Sequence, residues 1–251
     1  VTVFVKRREL AAAGSIAEAL DIFGSEIRFY REIAPVIGIR VPNCYRADET
    51  AEGTLLELED LSAWTPGAAP EAAAYTLRLL HSRWEGEAVR RWPWLRPVGA
   101  AVDLVGRLYD ETWPRLADLP PAVQVVGERL VGNVTAAERQ LLDAGPLTLV
   151  HGDASAQNLR TSPTGEVALL DWEDVSAAPG ILDLGWFLLS SVDPDDWPAT
   201  IAAYGHDSGL HEVLPSLIVQ GLLSLADHSP DSPEAEAWRH RLDAAAKRLE
   251  S

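Results

Sequence analysis

His151, Asp153 and Asn158 lie in one short stretch, His151-Gly152-Asp153-Ala154-Ser155-Ala156-Gln157-Asn158. Asp171 follows at the end of an apolar run, Val167-Ala168-Leu169-Leu170. These residue types at these spacings suit phosphoryl transfer. That reaction needs little covalent help from a protein. It needs a carboxylate beside the acceptor hydroxyl, and oxygen ligands that hold Mg²⁺ against the phosphates. Asp153 can take or orient the hydroxyl proton. Asn158 offers a neutral carbonyl oxygen and Asp171 a charged one. Hard donors of this kind suit Mg²⁺, which keeps waters and phosphates as its remaining ligands.

The surrounding residues read as the elements needed to position these groups. Leu147-Thr148-Leu149-Val150 forms a strand that enters the loop. Leu159-Arg160 leaves it, Ser162-Pro163-Thr164-Gly165 turns the chain, and Val167 to Leu170 returns. Such a hairpin places Asn158 and Asp171 on one side of a metal. Protein kinases write their catalytic loop as H-R-D-L-x-x-x-N, with a metal-binding Asp after a short hairpin. Here His151 is two residues before Asp153 and Asn158 five after it.

The chain resembles the aminoglycoside phosphotransferase and choline kinase family, small-molecule kinases with a protein-kinase-like fold. The resemblance rests on His-Gly-Asp with Asn158, on Asp171-Trp172-Glu173, and on Asp183-Leu184-Gly185-Trp186. Weaker matches are Glu26-Ile27-Arg28-Phe29-Tyr30, Leu58-Glu59-Asp60-Leu61 and Leu80-His81, in the family's order. The resemblance implies that Asp153 is the catalytic base and that Asn158 and Asp171 are the metal ligands. It makes Asp183 a buried acid bracing the catalytic loop, and His151 a structural member of that loop. It also implies that Glu59 to Leu61 link two lobes and hold the nucleotide base through backbone groups.

Val1-Thr2-Val3-Phe4-Val5-Lys6 is an apolar, β-branched strand ending in Lys. A strand Lys in kinases reaches the α- and β-phosphates and pairs with a helix Glu. Lys6 fits that role, with Arg7 and Arg8 as neighbours. Ser15 to Ile37 reads as one helix, capped by Ser15 with Glu18 and ended at Pro35. On it Glu26 is the expected partner of Lys6, with Glu32 as the competitor. Cys44 to Asp48 and Thr54 to Leu58 read as two strands. No glycine-rich phosphate loop precedes Lys6, so that loop is expected upstream of Val1. The chain has no Met and opens on Val, so the start of its N-terminal lobe is expected to be missing.

Glu71 to Trp84 has helical spacing, and His81 on it reads as a packed residue rather than a catalyst. Trp92, Trp94 and Trp113 lie among charges in Gly86 to Pro120, where the resemblance implies substrate-binding helices. Each can meet an amine through its ring face or pack in the core, and packing is the expectation. Further helices are expected over Ala136–Leu142, from Ile181 onward, and over Trp197–Tyr204, Ser216–Ala226 and Ser232–Leu249. Asp193-Pro194-Asp195-Asp196 is an acidic loop that either faces an amine or caps the next helix.

The 21 basic and 38 acidic residues give a net charge of −17, which argues against a nucleic-acid partner and favours a cationic one. Cys44 is alone, so no internal disulfide forms and a reducing compartment is expected. No run of 18 apolar residues and no signal-like start occur, so no membrane association and a cytoplasmic location are expected. The expected architecture is α+β, a two-lobed kinase-like fold. Residues 1–61 form a nucleotide-binding lobe (Lys6, Glu26, Glu59, Leu61), and residues 62–251 form a mostly helical catalytic and substrate lobe. The expected reaction moves the γ-phosphoryl of ATP or GTP, with Mg²⁺, to a hydroxyl of a small molecule. The alternatives are a choline, sugar or amino-alcohol kinase of metabolism, and a nucleotide-binding pseudokinase. Intact Asp153, Asn158 and Asp171 speak against the last.

Overall fold

The computed structural model describes residues 2–97 and 99–250. Val1, at the start of the predicted first strand, and Val98 and Ser251 lie outside the described residues.

Three strands form the first sheet: β1 (Val3–Glu9), β2 (Cys44–Thr50) and β3 (Gly53–Glu59), antiparallel in the order β1-β3-β2. The register pairs Lys6 with Leu56 and Val3 with Glu59. β2 and β3 match the predicted strands and run slightly longer, but β1 does not end at Lys6 as expected, because its pairing with β3 continues to Glu9 opposite Gly53. Residues two apart on a strand share a face. Lys6 and Arg8 are therefore the half-buried positions of β1, while Arg7 between them is exposed.

The single helix expected over Ser15 to Ile37 is broken. Ser15 does cap α1 (Ile16–Ala19), accepting from the Glu18 amide, and Glu18 reaches back to the Gly14 amide. The chain then stops at Asp21, which adopts a left-handed conformation with φ 46°. α2 (Ile22–Arg28) follows, and Phe29–Ile33 widens into a π-turn before a 3₁₀ turn over Ala34–Val36. Pro35 supplies the reason. It has no N–H and its ring clashes with the carbonyl four residues earlier, so the helix must loosen ahead of it. Helical periodicity carries no sign of that adjustment.

The helical part holds α3 (Pro70–Trp84), α4 (Ala88–Arg91), α5 (Val102–Thr112), α6 (Pro121–Leu130) and α7 (Val134–Leu141) ahead of the catalytic loop. After it come α8 (Ile181–Ser191), α9 (Trp197–Tyr204), α10 (Leu210–Ala226) and α11 (Pro233–Leu249). α10 starts six residues before the predicted helix and carries Pro215 inside its second turn. Intrahelical pairing has already begun at Val213, whose amide meets the Gly209 carbonyl at 3.3 Å, so Pro215 leaves the His211 carbonyl without its α-helical donor. α8 and α10 are the apolar centre, with Leu184, Leu188, Leu217 and Leu222 fully buried. Asp193 caps the 3₁₀ turn before α9, accepting from the Asp195 amide at 3.0 Å, while Asp196 at the start of α9 makes no side-chain cap. Among the described residues no helix is long and apolar enough to cross a membrane.

Two small sheets carry the loops that matter. The short strand β4 (Thr65–Pro66) joins β7 (Leu159–Thr161) and β8 (Val167–Leu169) in the order β4-β7-β8. β5 (Arg96–Pro97), β9 (Ser176–Pro179) and β6 (Leu147–Val150) form the order β5-β9-β6. The predicted hairpin is therefore present, with Leu159 opposite Leu169.

Candidate active site

The catalytic-loop candidates are held from below by one buried acid. Asp183, on the first turn of α8, is 1 % exposed. Its carboxylate accepts the His151 amide at 2.7 Å, the Gly152 amide at 2.9 Å and the His81 ring at 3.1 Å. A buried carboxylate is tolerated only with such partners. Burial alone would raise its pKa, but the His81 hydrogen bond, the His81 and His151 charges and the His151 amide outweigh it and hold it below the usual value. His81 is a packed helix residue, as expected, and also a member of this network. Its other nitrogen meets the Tyr204 hydroxyl at 2.9 Å. Nothing in the sequence links His81 to Asp183, since they are 102 residues apart and meet only through packing.

His151 accepts the Asp153 amide on Nδ1 at 3.2 Å, which leaves Nε2 to donate to the Leu170 carbonyl at 2.7 Å. Both nitrogens are thus occupied by backbone, and the ring ties the loop to the β8 end of the hairpin. Trp172, fully buried, stacks on Phe29 at 4.1 Å and packs against His151 at 4.5 Å. This aromatic column joins the helical arm of the N-terminal sheet to the loop.

Gly152 must be glycine. Its φ is +89°, and a Cβ there would lie 2.3 Å from the Asp174 carbonyl oxygen. Gly152→Ala should cost roughly 3 kcal/mol, from left-handed strain plus backbone overlap. A drop in the thermal unfolding midpoint together with a loss of turnover is the expected result, because the displaced residue is next to Asp153.

The Asp153 carboxylate is fixed at both oxygens. Trp186 Nε1 donates to Oδ1 at 2.6 Å and Asn158 Nδ2 to Oδ2 at 2.8 Å. Asn158 also donates to the Asp153 carbonyl at 3.0 Å, so its amide nitrogen is used up, while its side-chain oxygen has no hydrogen-bond partner among the described residues. The Asn158 carbonyl accepts the Leu170 amide at 2.8 Å, so the hairpin brings Asn158 beside Asp171 as the spacing suggested. Asp171 itself sits at φ 59°, an unusual conformation for a residue with a side chain. Trp186 is the site residue the sequence reading did not single out. Its signal was its place three residues after Asp183, which puts both on one helix face.

Lys6 lies above. Its ammonium is 2.6 Å from Asp171, 2.8 Å from Glu26 and 3.2 Å from Glu173. Burial alone would lower its pKa, and the Glu26 and Asp171 carboxylates reverse this and raise it. Glu26 is raised to about 7 because its burial outweighs the Lys6 attraction. The competitor Glu32 faces away and accepts from Trp94 at 2.8 Å. Glu59 spends its carboxylate on Arg40 at 2.6 Å and on Asn43, and its amide on the Asn43 carbonyl at 2.8 Å.

Two cavities meet at the loop. One, of about 580 Å³, lies between the sheet and the hairpin and is lined by Lys6, Glu26, Leu58 to Ser62, Asn158 and Asp171. The other, of about 380 Å³, is lined by Gly152, Asp153, Trp186, Glu138, Arg96 and an apolar wall of Val102, Val105, Leu182 and Leu223. Of the tryptophans considered from sequence, Trp92 is buried against Trp84 and Trp113 stacks on Tyr109, so both pack in the core. The aromatic residue in the second cavity is Trp186.

Residues 4–217 match the model of a family described as the phosphotransferase enzyme family. The chain belongs to this family. No curated protein matches it. Among solved structures, the phosphotransferase is similar to choline kinase LicA from Streptococcus pneumoniae at 20 % identity and TM-score 0.62. That likeness covers 99 % of this chain and 85 % of LicA. It is also similar to aminoglycoside phosphotransferase APH(3'')-Id from Streptomyces rimosus, solved with ADP and streptomycin, at 16 % identity and TM-score 0.61. Here 88 % of this chain and 86 % of that one are covered. A third likeness is to the GDP complex of wild-type aminoglycoside 2'-phosphotransferase-IIIa, at 13 % identity and TM-score 0.59, covering 97 % and 93 %. The architecture is therefore the two-lobed kinase-like α+β fold expected from the sequence, and by its family the chain is a phosphotransferase enzyme.

Proposed function

We propose that this phosphotransferase moves the γ-phosphoryl group of ATP or GTP to the hydroxyl of a small molecule bound beside Asp153. The observation that carries the reading is that one short loop serves both cavities. Asp153 lines the smaller one, and Asn158, five residues on, lines the larger one with Lys6 and Asp171.

In this reading the larger cavity takes the nucleotide and the smaller one the acceptor. The base lies against the backbone of Glu59 to Leu61. Lys6, oriented by Glu26, holds the phosphates. Asp153 accepts the hydroxyl proton as the acceptor oxygen bonds to the γ-phosphorus and the bond to the bridging oxygen breaks, its electron pair leaving with the nucleoside diphosphate. Trp186 and Asn158 keep the carboxylate aimed, so no reorientation is needed when the acceptor arrives. The donor set fits Mg²⁺: the Asn158 side-chain oxygen is free because its nitrogen is committed, and Asp171 is a half-exposed carboxylate at the cleft. When bound there, Mg²⁺ supplies neutralisation of the phosphate charge. His151 and Asp183 hold the loop and move no proton.

Residues 1–61 and 62–251 are the two lobes in this reading, with the chain acting in the cytoplasm. Among acceptors, the net charge of −17 and the half-buried Glu138 in the smaller cavity support cationic hydroxyl compounds. The test is nucleoside diphosphate release with Mg²⁺ and ATP or GTP, against aminoglycosides, choline, amino alcohols and sugars. Stimulation by one class, absent without nucleotide, supports the reading. Absence of any nucleotide turnover or binding defeats it. Asp171→Ala is expected to remove metal-dependent nucleotide binding, seen by titration calorimetry with ADP in the presence and absence of Mg²⁺.

A further inference from the structure

Arg8 has no part in the mechanism above, yet it lines the same cavity as Lys6, Asn158 and Asp171. It is two residues after Lys6 on β1, so the two side chains leave the same face of the strand about 7 Å apart. Both line the larger cavity. Both also reach Glu173, Lys6 at 3.2 Å and Arg8 at 2.6 Å. The guanidinium is further held over the Phe23 ring, 4.9 Å from its centre.

Three features separate Arg8 from an ordinary surface arginine. Glu173 engages only Nη2, and no hydrogen bond from Nε or Nη1 occurs among the described residues. The side chain is 35 % exposed, so those donors remain open to the cleft. The position also has a direction. Val3 pairs with Glu59, so that end of β1 lies at the segment assigned to the base, and Arg8, opposite Thr54, is farther from it than Lys6. A nucleotide laid with its base at Glu59 to Leu61 and its inner phosphates at Lys6 carries its last phosphate toward Arg8.

We propose that Arg8 is a second phosphate-binding cation, contacting the γ-phosphoryl group of the bound nucleoside triphosphate, with Glu173 and Phe23 fixing its planar fork. This rests on the nucleotide reading of the larger cavity. Charge on the γ-phosphoryl oxygens is shared among several partners in the transition state, and an arginine supplied by the same chain is one way to meet it. Arg8 neither gains nor loses a proton. It stabilises the group in flight while Asp153 takes the acceptor's proton.

The proposal separates the γ-phosphate from the other two, and a merely structural arginine would not. Binding of ADP and of a non-hydrolysable ATP analogue is measured with Mg²⁺ for wild type, Arg8→Ala and Arg8→Lys. Turnover is measured with the best acceptor found, or as acceptor-independent hydrolysis sensitive to Asp153. Arg8→Ala is expected to weaken the triphosphate analogue about tenfold or more, the loss of a charged hydrogen bond, while ADP affinity changes about twofold or less. Its kcat should fall on the order of 10³-fold. Arg8→Lys should recover much of the affinity and little of the rate, because a point charge cannot reproduce the fork. Equal weakening of both nucleotides, or an unchanged kcat in a folded Arg8→Ala protein, overturns the proposal. A wild-type protein that binds neither nucleotide instead refutes the nucleotide reading itself, and this inference falls with it.

Discussion

Asp153→Ala should remove turnover while leaving nucleotide binding largely intact. The carboxylate lines the acceptor cavity, and its contacts within the protein are to Trp186 and Asn158. In the proposed reaction, removing it takes away the proton acceptor and the anchor of the acceptor hydroxyl together. General-base loss costs typically 10²- to 10⁴-fold, so a fall of about 10³-fold is expected. The Trp186 indole and the Asn158 amide lose a partner, but both stand beside open cavities where water can replace it, so the fold should survive. Calorimetric titration with ADP and steady-state kinetics on the same preparation check both halves. Normal turnover by Asp153→Ala would show that the base is elsewhere. Loss of both turnover and nucleotide affinity would show that Asp153 serves the nucleotide as well.

Asp183→Ala is expected to be the most destabilising single change in the site. Two backbone amides and the His81 ring would lose their acceptor in an interior that water does not reach. Each orphaned buried donor costs about 1–3 kcal/mol, so a loss of about 4 kcal/mol is expected in denaturant unfolding. Activity should disappear with it, because His151 and Gly152 carry Asp153. Asp183→Asn keeps one acceptor oxygen and should fall between the two. The pH dependence has a defined sign. The folded protein holds the Asp183 charge more tightly than the unfolded chain does, so its contribution is present above the ordinary carboxylate value of 3.8 and is lost as the pH falls through the lowered folded value. The stability gap between wild type and Asp183→Asn should narrow from about pH 5 downward. A gap that widens in acid would contradict the network described here.

The order of the elements was legible because each is local. β2, β3, the Leu159–Leu169 hairpin, α3, α9 and α11 follow from alternation, turn residues and helical spacing over short windows. The path from Ser15 to Val36 was not legible. Pro35 announces an ending, but whether a helix ends by stopping, kinking or widening to a π-turn depends on what Phe29, Tyr30 and Ile33 must pack against, and all three are buried. Likewise whether the acidic loop caps the next helix was not legible, and in the fold Asp193 caps only the short turn before α9.

Within the site, the chemistry-bearing residues were visible because phosphoryl transfer requires particular side chains at close spacing on one loop and one hairpin. Asp153, Asn158 and Asp171 are such a set, and the sequence alone determined their types, their order and their neighbourhood. The family resemblance, more than any local pattern, offered Glu26 over Glu32 as the partner of Lys6, and the two stand 2.8 Å apart. Only the tertiary structure decided which groups orient them. His81 reaches Asp183 across 102 residues, Lys6 reaches Asp171 across 165, and Trp186 turns onto Asp153. Local spacing specifies which groups a segment can present. The partners that fix their direction come from distant segments, brought in for the catalytic loop by the packing of α3 and α10 on α8, and a buried polar group can take only the partner that packing delivers.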